Sequence, residues 1–595
     1  MSFPDYLVLL LYVIGLLAIT VYFATRVKNT SDMFSAGGQS PWWMSGLSGF
    51  MTMFSAGTFV VWGGVAYRYG LVAVSISMCY GVAALLVGWT LAGYWRRLGV
   101  SSASEFLDRR FGPSIVQFYI WLNGTFGMFS MGLAVYGLSV IVAALVPISP
   151  ESSLAFLADA DTGHLSVTYL SIALCILVVV ITFAGGLWAV LMTDVLQFIV
   201  LTVSVMFVVP LILDQVGGFN AFASQAPEGF LKPVAADFTW WFLLGWVAVH
   251  YFKVGGEWAF VQRYTCVRTP KDARKSAYIF GVMYLISPIF WMLPPMIYRV
   301  IEPIPEGLSA AEINQLSEQA YIRACEFVLP AGMVGLLVAA MASATASMAT
   351  TQLNVYAGAL TAEFYQKLVR PHANQKELVR VGRVMTVVLG VIVLSGAILI
   401  PRLGTYVGFI LAVTAMLTGP LVLPTIWGLF SKKLSLSAVW IVTIVGGLSA
   451  VLARFGLLSG PEFLVGVPGT AWLHDLATIN PRVTDLVVGS SVTLVGLCIA
   501  ELTSSRDYVG WSRVSAITAA YAKQPEDNGQ SGRSTLPAEI CGYTVVFLSL
   551  LMLILAVFTS DTQGRGVLIT FGLIMLLLAG LILGICYRLA RRSTH

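Results

Sequence analysis

The sequence predicts an all-α polytopic membrane protein. Of its 595 residues, 58% are hydrophobic and 11% charged, where a soluble protein carries about 25% charged residues. Apolar runs of about 20 residues recur from end to end, each long enough to cross a bilayer as a helix. Basic residues concentrate in short loops between these runs. Topology therefore accounts for the net charge of +5, and no nucleic-acid partner is implied.

About fifteen spans follow in order. The first covers roughly 5–25, and because MSFPDY has no basic leader and enters it at once, it reads as a retained helix rather than a signal peptide. Ten more lie near 41–66, 70–95, 113–147, 166–186, 187–213, 239–262, 276–299, 325–362, 379–401 and 404–430. Four close the chain near 434–453, 484–502, 541–559 and 566–587. Alternate loops are basic: Arg26 and Lys28; Arg96, Arg97, Arg109 and Arg110; Arg263, Arg268, Lys271, Arg274 and Lys275; Lys367, Arg370, Lys376 and Arg380; Lys432 and Lys433; then Arg588, Arg591 and Arg592 in the tail. The opposite loops are acidic, with Glu151, Asp159 and Asp161, then Glu302, Glu306, Glu312 and Glu318. This asymmetry puts the N-terminus outside and the C-terminus inside. The segment 503–539 is polar and reads as a flexible cytoplasmic linker.

The ten middle spans divide into two fives, 41–213 and 214–433, between a leading segment 1–40 and four additional helices in 434–595. Five is odd, so the second set runs opposite to the first, an inverted repeat of the kind that places a binding site at the midplane between broken helices. Gly46, Gly49, Gly57, Gly63 and Gly64 mark the first helix of one set, and Gly255-Gly256 the first helix of the other. These glycines serve either helix breaks or close packing.

Inside the spans, four ionisable residues stand out: Asp194, His250, Lys253 and Glu257. Charge is costly there and is usually functional. Asp194 requires a cation, a proton or a hydroxyl cluster as partner. Lys253 and Glu257 stand at i and i+4 around the glycine pair, as a mutual salt bridge or as walls of a solute cavity; His250 reads as a hydrogen-bonded packing residue. In the ninth span, Ser347, Thr350 and Thr351 share one helix face. Such oxygen ligands suit sodium, although hydroxyls in membrane helices also bond their own backbone or serve packing. The seven cysteines show no CxxC and the five histidines no HxxH or HExxH, so no transition-metal site is expected. With no nucleophile–base pair or phosphate loop either, the chain does not read as an enzyme.

Several stretches together resemble the sodium/solute symporter family: GGQSPWWMSGLS (37–48), FSAGTFVVWGGVAYRYG (54–70), GGLWAVLMTDVLQ (185–197), VQRYTCVRTPKDARKS (261–276) and AAMASATASMATTQLN (339–354). The resemblance covers about residues 1–430. It implies a LeuT-like 5+5 inverted-repeat core with flanking helices. It also implies one sodium position from backbone carbonyls at Met51, Phe54 and Ala344 with Ser347, where the family's second serine is replaced by Met348. A further family position falls on Asp194, Ser347, Thr350 and Thr351. Sugar-transporting members use a glutamine where this chain has Thr58, and the uncharged span 113–147 lacks the arginine of sialic-acid carriers.

The reading is a sodium-coupled secondary transporter of the cytoplasmic membrane, multi-pass in the lipid bilayer, a monomer or loose oligomer. It would move a small organic solute, zwitterionic or anionic, by alternating access. The solute would lie near Ser55, Thr58, Lys253, Glu257 and Trp258. Sodium is the coupling ion, and no organic cofactor is implied. Two alternatives stay open: proton coupling through Asp194, and a transporter-like sensor, for which fused signalling domains would be expected.

Overall fold

The computed structural model describes residues 2–24, 40–159, 162–236, 238–399, 406–452, 481–504, 507–522, 536–559 and 561–593. Among these, regular structure is helical, and strand character is confined to isolated bridges such as Ser40 with Val267. Arg26, Lys28 and Asp161 lie outside the described residues, as does the central part of the expected linker, 523–535.

The chain opens with α1 (Phe3–Ala24). Then come α2 (Trp42–Thr52), α3 (Ala56–Tyr69), α4 (Val72–Thr90), α5 (Ala92–Arg97), α6 (Ala103–Phe111) and α7 (Pro113–Leu145). After α8 (Val167–Gln215) and the short α9 (Phe219–Gln225) follow α10 (Trp240–Gly256), α11 (Trp258–Thr265), α12 (Pro270–Trp291), α13 (Leu293–Ile301) and α14 (Ala310–Val328). Next is α15 (Met333–Ala359), continued by a π-helical end over Leu360–Val369. The remainder is α16 (Gln375–Leu399), α17 (Tyr406–Phe430), α18 (Leu436–Leu452), α19 (Pro481–Thr503), α20 (Val509–Ala522), α21 (Leu536–Phe558) and α22 (Thr562–Ser593). Among the described residues, eight helices are long and apolar enough to cross a membrane, nine when the bent pair α2–α3 counts as one span; five further apolar helices are shorter.

Helix α15 lies at the centre. Its apolar window is 89% buried, and it packs against α1, α7, α8 and α16. Its start is held by the leading helix: the buried Asp5 carboxylate accepts the Gly332 and Gly335 N–H groups at 2.7 and 2.9 Å. Those amides have no partner inside their own helix, so an acid there also suits the helix dipole. At the other end of the chain, α21 and α22 pack on each other, and the apolar window of α22 is 28% buried.

Three elements depart from the sequence expectations. The spans expected at 166–186 and 187–213 form one continuous helix of 49 residues, α8. At 1.5 Å per residue that is about 73 Å, against a hydrocarbon core of about 30 Å. Two adjacent glycines cost a helix only about 1 kcal/mol each, and no proline or capping residue stands at the junction to stop it. The expected linker begins with a helix instead: α20 packs on α6, and the Arg110 guanidinium lies over the Tyr508 and Trp511 rings at 5.5 and 5.7 Å.

The third departure concerns the breaks. Helix α2 ends at Thr52 and α3 starts at Ala56, bent by 60°, so Met53–Ser55 forms the break rather than a glycine. The second break is Glu257, extended at φ −67° and ψ 135°, one residue past Gly256. The glycines serve close approach. A Cβ on Gly255 would stand 2.4 Å from Leu91 Cδ1, and one on Gly256 2.6 Å from Val422 Cγ1. Likewise, Gly46 leaves room for the Ser276 carbonyl, which would lie 2.8 Å from a Cβ there.

Candidate functional site

The two breaks lie beside α15, and local chemistry sets their geometry. At the first, the Phe54 N–H donates to the Met51 carbonyl at 3.0 Å, closing α2. The Ser55 N–H donates to Thr58 Oγ1 at 3.2 Å, and the Ala56 N–H to Thr345 Oγ1 of α15 at 2.8 Å. An α15 hydroxyl thus satisfies a donor at the start of α3. Thr345 itself donates to the Met341 carbonyl at 3.0 Å.

One turn into α2 and across from α15 lies a buried polar cluster around Asp194. The aspartate is 1% exposed. One carboxylate oxygen accepts the Ser48 hydroxyl and the other the Ser347 hydroxyl. The three hydroxyls that share a face of α15 therefore divide. Ser347 meets Asp194, Thr350 turns back to the Ser347 carbonyl at 2.9 Å, and Thr351 accepts from Arg263 Nη2 at 2.9 Å. Arg263, read from sequence as a loop residue, is 1% exposed in α11. Its Nη1 donates to Gln262 Oε1 at 2.9 Å, and its Nε has no hydrogen-bond partner among the described residues. No ion pair within 4.0 Å joins Arg263 to Asp194 among the described residues; the two meet neighbouring hydroxyls of one α15 face, Thr351 and Ser347. Ala344 is fully buried beside Thr345. The donors facing Asp194 are oxygens, which suit a hard monovalent or divalent cation and not a soft transition metal.

The five residues expected around a solute, Ser55, Thr58, Lys253, Glu257 and Trp258, all line one cavity of about 290 Å³ between the breaks. Lys253 Nζ and Glu257 Oε2 are 3.9 Å apart, with side chains 28% and 21% exposed. The salt bridge and the cavity wall are thus the same pair. Trp258 stacks on Tyr356 at 5.5 Å. His250 shares the lining and pairs its Nδ1 with the Trp246 carbonyl at 2.9 Å. Sequence reasoning missed Gln352, whose Nε2 donates to Glu257 Oε1 at 2.9 Å. It also missed Ser48 and Arg263. A signal for Arg263 exists: EWAFVQRY continues the apolar pattern of α11 past the span boundary drawn at 262.

Cluster and cavity share their walls. Helix α2 gives Ser48 to the cluster and Thr52 to the cavity; α11 gives Arg263 to one, Trp258 and Phe260 to the other; α15 gives Ser347 and Thr351 to one, Met348 and Gln352 to the other. A shift of any of these helices moves both.

The sodium:solute symporter family description matches residues 33–446. The chain belongs to this family. Among curated proteins it is similar to the sodium/sialic acid symporter NanT of Aliivibrio fischeri, 26% identical over 483 residues, covering 78% of this chain and 90% of that protein. It is also similar to the sodium/glucose cotransporter of Vibrio parahaemolyticus, 24% identical over 499 residues, covering 78% and 87%. Among solved structures, a substrate-bound, outward-open Na⁺-coupled sialic acid symporter superposes with a TM-score of 0.68 at 21% identity, over 85% of this chain and 99% of that one. That similarity shows the fold. The expected LeuT-like helical architecture and the multi-pass membrane character hold.

Proposed function

We propose that this protein couples the sodium gradient to uptake of a small organic solute by alternating access across the cytoplasmic membrane. The observation that carries the proposal is the sharing of α2, α11 and α15 between the Asp194 cluster and the cavity. An ion can shift the equilibrium between two states only by its differential affinity for them. A cation held by Asp194 of α8, Ser347 and the two threonines of α15 would tie these helices together and so set the cavity's shape. Backbone carbonyls at Met51, Phe54 and Ala344 would form the first ion position, as the family resemblance implies. Ser347 directs its hydroxyl to Asp194, which favours the position built on that aspartate. The solute would lie against Ser55, Thr58, Lys253, Glu257 and Trp258. The reading includes an external N-terminus and a protein that works as a monomer or loose oligomer.

A second reading has one specific observation behind it. Asp194 is 1% exposed and its two oxygens meet the Ser48 and Ser347 hydroxyls, a setting that can hold a proton in place of sodium as the coupling ion. The deciding experiment is a sodium titration of the purified protein by tryptophan fluorescence and thermal unfolding, with potassium and choline at matched ionic strength. Saturable, sodium-specific stabilisation that vanishes in Asp194→Asn supports sodium. A pH-dependent change centred on Asp194, without sodium specificity, supports the proton.

A further inference from the structure

The cavity carries one fixed cation and one fixed anion. Among the described residues lining it, Lys253 and Glu257 are the charged ones. Their 3.9 Å separation is longer than the roughly 2.8 Å of a closed charge-assisted hydrogen bond. The pair is therefore loose, and both groups keep bonding capacity toward the cavity. Glu257 is aimed by the 2.9 Å bond from Gln352 to its other oxygen. Lys253 holds three donors and, among the described residues, makes no hydrogen bond that would use them up; the 3.9 Å contact is its ion pair.

The backbone repeats this bipolar pattern. Both breaks bring a helix C-terminus and a helix N-terminus to the cavity: α2 and α3 around Met53 and Ser55, α10 and α11 around Glu257. C-terminal carbonyls favour a cation, and N-terminal amides favour an anion. Aromatic faces from Trp62, Tyr80, Trp246 and the stacked Trp258–Tyr356 pair complete the walls. Such faces accommodate alkyl groups and attract ammonium groups. At about 290 Å³ the space is at the low end for ligand sites, roughly 300–1,000 Å³, and fits one small molecule.

These features select among solute classes. A monoanion drawn to Lys253 would lie within reach of the Glu257 charge, and a monocation at Glu257 within reach of Lys253. A neutral polyol would desolvate a loose ion pair without completing it. A molecule with its own positive and negative ends answers both charges and both kinds of helix end at once. We infer that the cavity takes a small zwitterion of amino-acid or betaine size, its carboxylate on Lys253 and its ammonium on Glu257. The inference rests on the symport reading only in taking this cavity as the solute site.

The test uses the purified full-length protein in saturating sodium chloride, with binding read by calorimetry. Leucine, alanine and glycine betaine are the zwitterions. Isocaproate and isoamylamine supply the single charges on leucine's skeleton. Glucose, myo-inositol and N-acetylneuraminate are the further competitors. The expected result is saturable binding of at least one zwitterion, about 100-fold tighter than either single-charge analogue. Glu257→Gln loses the zwitterion and spares isocaproate; Lys253→Gln loses the zwitterion and spares isoamylamine. A misfolded variant would not separate the ligands in this way. Binding of a polyol, a sugar or a monoanion more tightly than every zwitterion overturns the inference. So does no zwitterion binding at all, or equal loss of every ligand in both variants. Zwitterion binding that is the same in sodium and choline chloride leaves the inference standing and removes the coupling reading instead.

Discussion

Replacing Asp194 with asparagine tests the buried cluster most directly. Asp194 and Arg263 are each 1% exposed. Arg263 keeps two neutral acceptors, Thr351 Oγ1 and Gln262 Oε1, both at 2.9 Å. The amide retains one acceptor for the Ser48 or Ser347 hydroxyl, and the other hydroxyl can rotate, so hydrogen bonding is largely kept. The charge is what is lost. The guanidinium and the carboxylate are not paired within 4.0 Å among the described residues, so the loss costs less than the roughly 3–5 kcal/mol of breaking a buried ion pair. Arg263→Gln alone leaves the carboxylate uncompensated and is destabilising for the same reason. The double substitution removes both charges, so it should cost less than the sum of the singles by about 1–3 kcal/mol. Thermal and denaturant unfolding in sodium-free choline buffer measures that coupling. Adding sodium to about 100 times its dissociation constant should stabilise the unsubstituted protein by about 2.7 kcal/mol, and neither Asp194 variant. Additive costs within about 0.5 kcal/mol, or an unchanged sodium response in Asp194→Asn, would refute the assignment of a shared electrostatic cluster.

Other outcomes follow from single contacts. Asp5→Ala strands the Gly332 and Gly335 amides and should cost about 1–3 kcal/mol for each unsatisfied group, with faster hydrogen exchange at the start of α15 as the readout; unchanged exchange at those amides counts against the cap. Gly132→Ala sets a methyl 2.2 Å from the Ala397 nitrogen and 2.4 Å from the Val393 carbonyl, so α7 and α16 must separate, at about 1–3 kcal/mol; an unaltered melting temperature contradicts this packing. Burial pushes the Glu318 carboxyl up to about 7 from 4.5, on α14, outside the apolar spans. A raised acid favours the folded form below its unfolded value and loses that contribution as pH rises through about 7. The melting temperature should therefore fall between about pH 4.5 and 7 more steeply in the unsubstituted protein than in Glu318→Gln, and parallel profiles would exclude Glu318 as the source.

Membrane character and helix content were legible in the sequence, and the family resemblance implied the grouping of Asp194 with Ser347. A charge and a hydroxyl row inside apolar spans stand out against their surroundings. Ser48 was hidden because it sits among glycines, where a small residue reads as packing. Arg263 was hidden in a run of bases that topology already explained, since burial depends on what packs over a residue and not on its neighbours in sequence. The breaks were misplaced because glycine is a strong local marker. In this fold the glycines sit where helices touch, as at Gly255 against Leu91, and the chain breaks at Met53–Ser55 and Glu257. The continuity of α8 was invisible because alternation of loops is assumed, not read, when spans are counted.

The Asp5 cap spans 327 residues of chain to Gly332 and 330 to Gly335. During synthesis the leading helix is made long before its partner emerges. Until then its carboxylate lacks the two amides that will hold it. Closure of α1 onto α15 is accordingly a late step in biogenesis. A chain truncated before residue 332 would leave that acid without the two amides that hold it.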